Sequence, residues 1–339
     1  MVQPVELSTG LPGDCGSKRG VQFGVVGIGD KAEYRHGHDS GEKRVTGRRR
    51  AVLIAGPTAS GKSALALEMA QAENGVIVNA DAMQVYDMLR VVTARPGDDD
   101  LAQADHRLYG TVPASMRFST GQWLAAAQAT IDATPEERPL IFVGGTGLYF
   151  DALLNGFAEI PQVPEAVTVE VQQEIQALDA GQRLALMQRE DPATAERLKV
   201  VDPQRLTRAL AVKRATGRLL SDFQDKEQAG VLGGFDVERM VLDPDRQVLR
   251  ERIARRFEAM FDGGAVEEVA ALRALELDPS LPVMKAIGVR EIGGWLDGAL
   301  DREEAIALAT IATQQYAKRQ RTWFRNRFGD WPRRGLASS

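Results

Sequence analysis

From Ala51 onward the chain alternates short apolar runs with longer segments of helical period. AVLIAG at 51–56 leads into helix-forming residues from Ala64 to Gln71, and GVIVNAD follows at 75–81. A helical stretch from Gly121 to Asp132 then precedes PLIFVGG at 139–145, and VERMVLD at 237–243 supplies a later apolar run. Short apolar runs without alternation belong to strands buried on both faces, and the helices between them cover those faces, so the pattern predicts an α/β fold with a parallel sheet. Residues 159–203 are Gln- and Glu-rich, helical in period and bracketed by prolines, which reads as a small helical insertion between two parts of the core, 51–158 and 204–332. After Pro244 the pattern is mostly helical as far as Phe328. Residues 1–50 carry few large apolar side chains outside VQFGVVGIG and read as a flexible extension, while 333–339 read as a frayed tail. The run GVVGIGD lacks the G-x-G-x-x-G spacing of a dinucleotide loop.

The first apolar run enters Gly56-Pro57-Thr58-Ala59-Ser60-Gly61-Lys62-Ser63. A strand that stops at a glycine, curls through a second glycine and continues as a helix turns successive N–H groups toward one anion. Lys62 adds a point charge, Ser63 offers a hydroxyl to Mg²⁺, and the helix contributes its positive end. The setting predicts a P-loop NTPase-like sheet with flanking helices, and phosphate or diphosphate bound at Gly56 to Ser63. It leaves the chemistry open.

Two further strand ends carry candidate chemistry. Asp81 follows the second strand, at the edge where open α/β sheets bind ligands, and could hold Mg²⁺, accept a proton or cap a helix. Gly144-Gly145-Thr146-Gly147 follows the third, with glycines that let backbone approach a ligand and a threonine hydroxyl nearby, or with Thr146 as a simple helix cap. No strand ends in the aspartate-glutamate arrangement of a motor ATPase.

Composition narrows the setting. The apolar content of 44% supports a sizeable core, and the net charge of −5 argues against a protein that coats nucleic acid everywhere. One cysteine, Cys15, excludes an internal disulfide; no run approaches the length of a membrane span and the start lacks a secretory apolar region, so we expect a cytoplasmic protein. Charge is nonetheless local. Between Thr313 and Arg334 seven basic residues face one acid, with aromatics interleaved, which marks either a confined polyanion site or a solvated helix face. Lys318, Arg321 and Arg325 share a helical face, opposite an apolar stripe of Ala305, Ala309, Ala312, Tyr316 and Trp323.

GPTASGKS, NADAMQVYDMLRVVTARP, HRLYGTV, VGGTGLYFDALLNG, DPQRLTRAL, AIGVREI and QQYAKRQRTWFRNR occur in this order. Together they resemble the tRNA dimethylallyltransferases, the bacterial tRNA isopentenyltransferase family, over about Ala51 to Trp331. The resemblance implies that Thr58 to Ser63 grip the diphosphate of dimethylallyl diphosphate with Mg²⁺ on Ser63 and Asp81, joined by Arg256. It implies that Asp81 receives the proton of an adenine amine in a tRNA anticodon stem-loop, and that Thr146 lies near the reacting atoms. Asp81, Ala82, Met83 and Gln84 correspond to a tRNA-contacting stretch. So do Gln204, Arg205, Leu206, Thr207 and Arg208, and likewise Lys285, Ala286, Ile287, Gly288, Val289 and Arg290. The basic face of Lys318, Arg321 and Arg325 suits phosphate tracking, and we expect the enzyme to act as a monomer. Val92 and Arg95 stand where relatives commonly have Gly and Lys, the charge being kept, and Val289 replaces a usual Tyr. An adenylate prenyltransferase, a small-molecule kinase and a non-catalytic nucleotide switch remain as alternatives.

Overall fold

The computed structural model describes residues 47–158, 160–197, 202–224 and 229–335; most of the extension and the last four residues lie outside them. Six strands form one parallel sheet: β1 (Arg50–Ala55), β2 (Val76–Asn79), β3 (Asp105–Arg107), β4 (Leu140–Gly144), β5 (Asp236–Leu242) and β6 (Arg333–Arg334), in the order β3-β2-β4-β1-β5-β6. β2 and β4 are buried at every position and β1 at all but Arg50, as their unbroken apolar runs require. Ala55 pairs with both Gly144 and Val241, so β1, β4 and β5 end level, and the loops leaving β1, β2 and β4 meet at one edge.

Three features depart from expectation. Strands β3 and β6 are too short to stand out in the apolar pattern, and Arg333–Arg334 belong to the sheet instead of a frayed tail. The extension also ends earlier than residue 50: Arg50 opens β1, and the Arg49 guanidinium donates to the carbonyls of Ile131 (2.7 Å) and Thr134 (2.9 Å).

Helices cover both faces. α1 (Lys62–Glu73) lays Leu65, Ala66 and Ala70 on one face, small enough for close approach to Ile54, Ile77 and Val143. On the other, α3 (Thr120–Ala133) and α4 (Gly147–Asn155) bring Trp123, Tyr149 and Phe150 into the main core. Ser119 and Gln122 form a reciprocal capping box that starts α3.

The insertion is larger than the prolines suggest. α5 (Glu165–Gln176), α6 (Ala180–Glu190), α7 (Pro192–Arg197), α8 (Pro203–Thr216) and α9 (Leu220–Gln224) share a core of their own, built on Val171, Ile175, Met187, Leu206, Leu210 and Phe223. A boundary at 203 would cut α8 from α5, its principal neighbour, so the helical body runs on to Gln224. Pro203 starts α8 at a position where a missing N–H costs nothing, with Asp202 accepting from Gln204 and Arg205.

After β5 come α10 (Arg246–Met260), a kink at Gly263–Gly264, α11 (Val266–Arg273), α12 (Val289–Leu296) and the 26-residue α13 (Arg302–Arg327). The buried stripe of α13 is Ala305, Ala309, Thr313, Ala317, Gln320 and Phe324. It is rotated from the expected one: Ala312, Tyr316 and Trp323 are only half-buried, and a glutamine takes an apolar slot.

Candidate active site

The turn after β1 places Gly61 at φ 87°, a left-handed conformation that a glycine adopts without strain, and Lys62 begins α1 directly behind it. Lys62 Nζ donates to the Pro57 carbonyl (2.6 Å) and lies 3.4 Å from Ser60 Oγ, so its ammonium spans the loop. Burial pushes this ammonium down to about 8, the Asp81 carboxylate opposing the shift and the Arg256 guanidinium adding to it. Arg256 projects from α10 and donates to Thr58 Oγ1. Burial lowers its pKa, and Asp81 again opposes. Two cations held close without a matched set of anions make a site that gains by binding a phosphate group.

The loop is not wholly available to an anion. The Thr58 N–H donates to Gln320 Oε1 (2.9 Å), and Ser60 is fully buried with its N–H turned to the Pro57 carbonyl (3.3 Å). Gly56 and Pro57 are buried as well. The expectation that Gly56 to Ser63 all face the diphosphate therefore narrows to Ala59 and to the turn from Gly61 to Ser63, with Lys62 and Arg256.

Asp81 is half-buried, and its placement is determined by Asn79. That buried amide accepts from Asp81 N (2.8 Å) and donates to the carbonyls of Asp81 and Leu108 (both 3.0 Å). Asp81 Oδ1 accepts from Met83 N (2.9 Å), while Oδ2 lies toward Gly145. The residues that follow form turns, so Asp81 closes a local turn and does not cap a helix. Thr146 sits at the start of α4 without capping it; its Oγ1 accepts from Ala82 N (2.9 Å) and its N–H donates to the Ala80 carbonyl (3.1 Å). Thr146 thus joins the β4 loop to the loop that carries Asp81.

The glycines beside Thr146 serve packing, not the approach of a ligand to backbone. A Cβ on Gly144 would fall 2.0 Å from the Ala80 carbonyl oxygen, one on Gly145 2.1 Å from Gln320 Nε2, and one on Gly147 2.1 Å from the Trp323 ring. Beneath them Trp123 stacks on Tyr149 at 4.0 Å, and the Trp123 indole donates to the Asn79 carbonyl. The Tyr149 hydroxyl is buried without a hydrogen-bond partner among the described residues, and its pKa is raised by burial and by Asp81.

The remaining stretches divide by exposure. On α8, Gln204, Arg205 and Arg208 are exposed, whereas Leu206 is core and Thr207 donates to the Pro203 carbonyl. Lys285 and Arg290 are exposed, whereas Ala286, Gly288 and Val289 are buried and Ile287 is half-buried against the core. Leu206, Ala286, Gly288 and Val289 are consequently corrected from contact to support, and the Val289 exchange alters packing instead of a stacking surface. Ala82, Met83 and Gln84 are half-buried; Gln84 spends its amide N–H groups on the Thr93 and Ala94 carbonyls. The Arg95 charge is not presented outward either, since its guanidinium donates to the Tyr86 and Asp87 carbonyls. Lys318 and Arg325 are exposed and, with Arg246 and Arg250 of α10, line a cavity of about 580 Å³ beside the loop tip. Arg321 lies in the same cavity, ion-paired to Asp243 at 2.8 Å, so it offers less charge than its neighbours.

Ser63 is exposed at the first turn of α1, and the second oxygen of Asp81 is not used by the turn. A hydroxyl and a carboxylate suit Mg²⁺, which keeps water and phosphate oxygens in its shell and needs no all-protein cage. Among the described residues no cluster of three or more His, Cys, Asp or Glu exists that would hold a metal alone. No described helix is long and apolar enough to cross a membrane.

A phosphate loop with converging cations, and a carboxylate held on the neighbouring strand, define a group-transferring enzyme that works on a phosphorylated donor. The IPP transferase family matches residues 84–327. Relatives named tRNA dimethylallyltransferase include one from Chelativorans sp., 51% identical over 284 residues (83% of this chain, 97% of that protein). Another, from Methylobacterium sp., is 53% identical over 281 residues, 83% of this chain and 92% of that protein. The crystal structure of a tRNA isopentenylpyrophosphate transferase from Bacillus halodurans superposes with a TM-score of 0.60 at 28% identity, covering 85% of this chain and 90% of that one. A eukaryotic dimethylallyltransferase acting on tRNA shares the fold, with a TM-score of 0.70 at 24% identity over 85% of this chain and 74% of its own. The chain belongs to the tRNA dimethylallyltransferase family.

Proposed function

We propose that this protein transfers the dimethylallyl group of dimethylallyl diphosphate to the exocyclic N6 amine of the adenosine 3′ to the anticodon in tRNA, releasing diphosphate, as a cytoplasmic monomer. The observation that supports this reading is the closeness of one carboxylate to two cations at the phosphate loop: Asp81 acts electrostatically on both Lys62 and Arg256, and Arg256 donates to Thr58 Oγ1.

The allylic C–O bond breaks as N6 forms its bond to the same carbon, so negative charge grows on the departing diphosphate. Lys62, Arg256 and the N–H groups of the Gly61–Ser63 turn stabilise that charge more in the transition state than in the substrate. Ser63 and Asp81 would hold Mg²⁺, which would supply further positive charge at the diphosphate. Asp81 orients the poorly nucleophilic amine and takes its proton, an effect of roughly 10²- to 10⁴-fold. The adenine must leave its stack to reach Asp81. Gln204, Arg205 and Arg208 on the helical body, Lys285 and Arg290 at and before α12, and Lys318 and Arg325 on α13 are exposed polar and basic groups whose chemistry suits the anticodon stem-loop.

Supplying labelled dimethylallyl diphosphate and, separately, labelled ATP to unmodified tRNA tests the reading. Label from the allyl group is expected in an anticodon-loop adenosine. Transfer to free adenosine monophosphate but not to tRNA, or phosphate transfer from ATP, overturns it.

A further inference from the structure

The buried stripe of α13 contains one residue that hydrophobic packing does not explain. Gln320 is 5% exposed, and its amide is satisfied at both ends by main chain from two different loops. Oε1 accepts from Thr58 N in the phosphate loop, and Nε2 donates to the Gly145 carbonyl in the loop after β4, each at 2.9 Å. A donor on one side and an acceptor on the other allow only one amide orientation.

These bonds complete a path. Thr58 is joined through Gln320 to Gly145; the next residue, Thr146, holds Ala80 and Ala82; between them lies Asp81. Strand pairing aligns β1 with β4 only as far as Ala55 and Gly144, so the loop tips beyond need a separate tie. Gly145 exists as glycine because the Gln320 amide occupies the place of its Cβ, and Gly147 makes the same room for Trp323. Both α13 side chains press on the same turn.

We propose that Gln320 is a positioning residue that sets the separation between the diphosphate cradle and the Asp81 carboxylate, and so acts on the rate of transfer and not on donor binding. The inference rests on the reading of the reaction given above. Its hydrogen bonds go to main chain of the two loops, Thr58 N and the Gly145 carbonyl. Its effect arises because nucleophile, carbon and leaving group must lie in line, where a displacement near 1 Å costs on the order of 100-fold.

The test uses the full-length enzyme with Gln320→Met, which keeps length and loses both bonds, and Gln320→Glu, which keeps the acceptor and loses the donor. Single-turnover transfer is measured beside the Kd of inorganic diphosphate and thermal melting. For Gln320→Met a rate loss of at least tenfold is expected, with diphosphate affinity within threefold of wild type. In an Asp81→Asn background the same substitution should lower the residual rate by less than threefold, because the relation it maintains has lost its function. Gln320→Glu should recover toward wild type as pH falls, when the protonated carboxyl again donates to the Gly145 carbonyl. If Gln320→Met does not fold, this pH profile carries the test. A full-rate variant, equal losses with and without Asp81, or a pH profile parallel to wild type overturns the inference while leaving the reaction intact. Absence of transfer in the wild type removes both.

Discussion

On the proposed reading Lys62 stabilises a bound diphosphate at the expense of the free protein, and the size of that conflict can be worked out. Its ammonium falls from 10.5 to about 8 on folding, first through burial. At 1.36 kcal/mol per unit this is about 3 kcal/mol, and because the side chain is only partly buried a penalty of roughly 1–3 kcal/mol is the appropriate range. Below pH 8 both folded and unfolded chains carry the proton and the folded state bears the whole penalty. Between 8 and 10.5 the unfolded chain binds more protons, so stability rises with pH, and above 10.5 the penalty has gone. Denaturant unfolding of wild type and Lys62→Met without ligands, from pH 7 to pH 10, checks this. The variant's stability advantage should shrink by about 1–3 kcal/mol across that range, the loss of the bond to Pro57 being common to every pH. A diphosphate would return the proton to Lys62, so its affinity for wild type should weaken above pH 8, by up to tenfold per unit, relative to Lys62→Met. A stability difference that stays flat with pH refutes the buried ammonium, whatever happens to activity.

Other outcomes follow from the same geometry. Asp81→Asn should lose at least about 100-fold in turnover at saturating diphosphate donor, and a rate within threefold of wild type in single-turnover assays would show that another group takes the proton. Neutralising Lys318 and Arg325 together should raise the KM for tRNA without changing that for the donor, and flatten the salt dependence of tRNA binding by about 1.5 units; an unchanged slope assigns the cavity they line to another role. Leu206→Ala should destabilise the helical body by roughly 2–5 kcal/mol in denaturant unfolding, weakening tRNA binding but not diphosphate binding, and a loss below 0.5 kcal/mol would contradict its place in that core.

What could be read in advance was whatever repeats locally. The phosphate loop, the four apolar strands β1, β2, β4 and β5 and the carboxylate at the β2 edge are contiguous signals, each complete within about a dozen residues. The misses have a different origin. β3 and β6 are strands because longer neighbours offer hydrogen bonds, not because three or two residues prefer that state. Leu206 and Val289 occur in stretches that mix exposed and buried positions, and helical phase alone separates Arg205 from Leu206. Arg95 carries a charge that composition counts as available and the fold turns inward. Asn79 and Gln320 were the hardest to anticipate, since a polar side chain among apolar ones declares its function only when its partners are known. Gln320 did leave a trace: read with Ala309, Thr313, Ala317 and Phe324, it is the one amide on that stripe.

The bond between Thr58 and Gln320 joins residues separated by 262 positions, and protein synthesis proceeds from one end. The phosphate loop leaves the ribosome before Asp81 and Thr146, and the side chain that ties their loops together follows all of them. A chain made only as far as α12 therefore carries the phosphate loop, Asp81, Thr146 and Arg256 without the side-chain tie between their loops. If Gln320 sets that spacing as inferred, a message cut short before it yields a protein with a recognisable phosphate loop and impaired transfer.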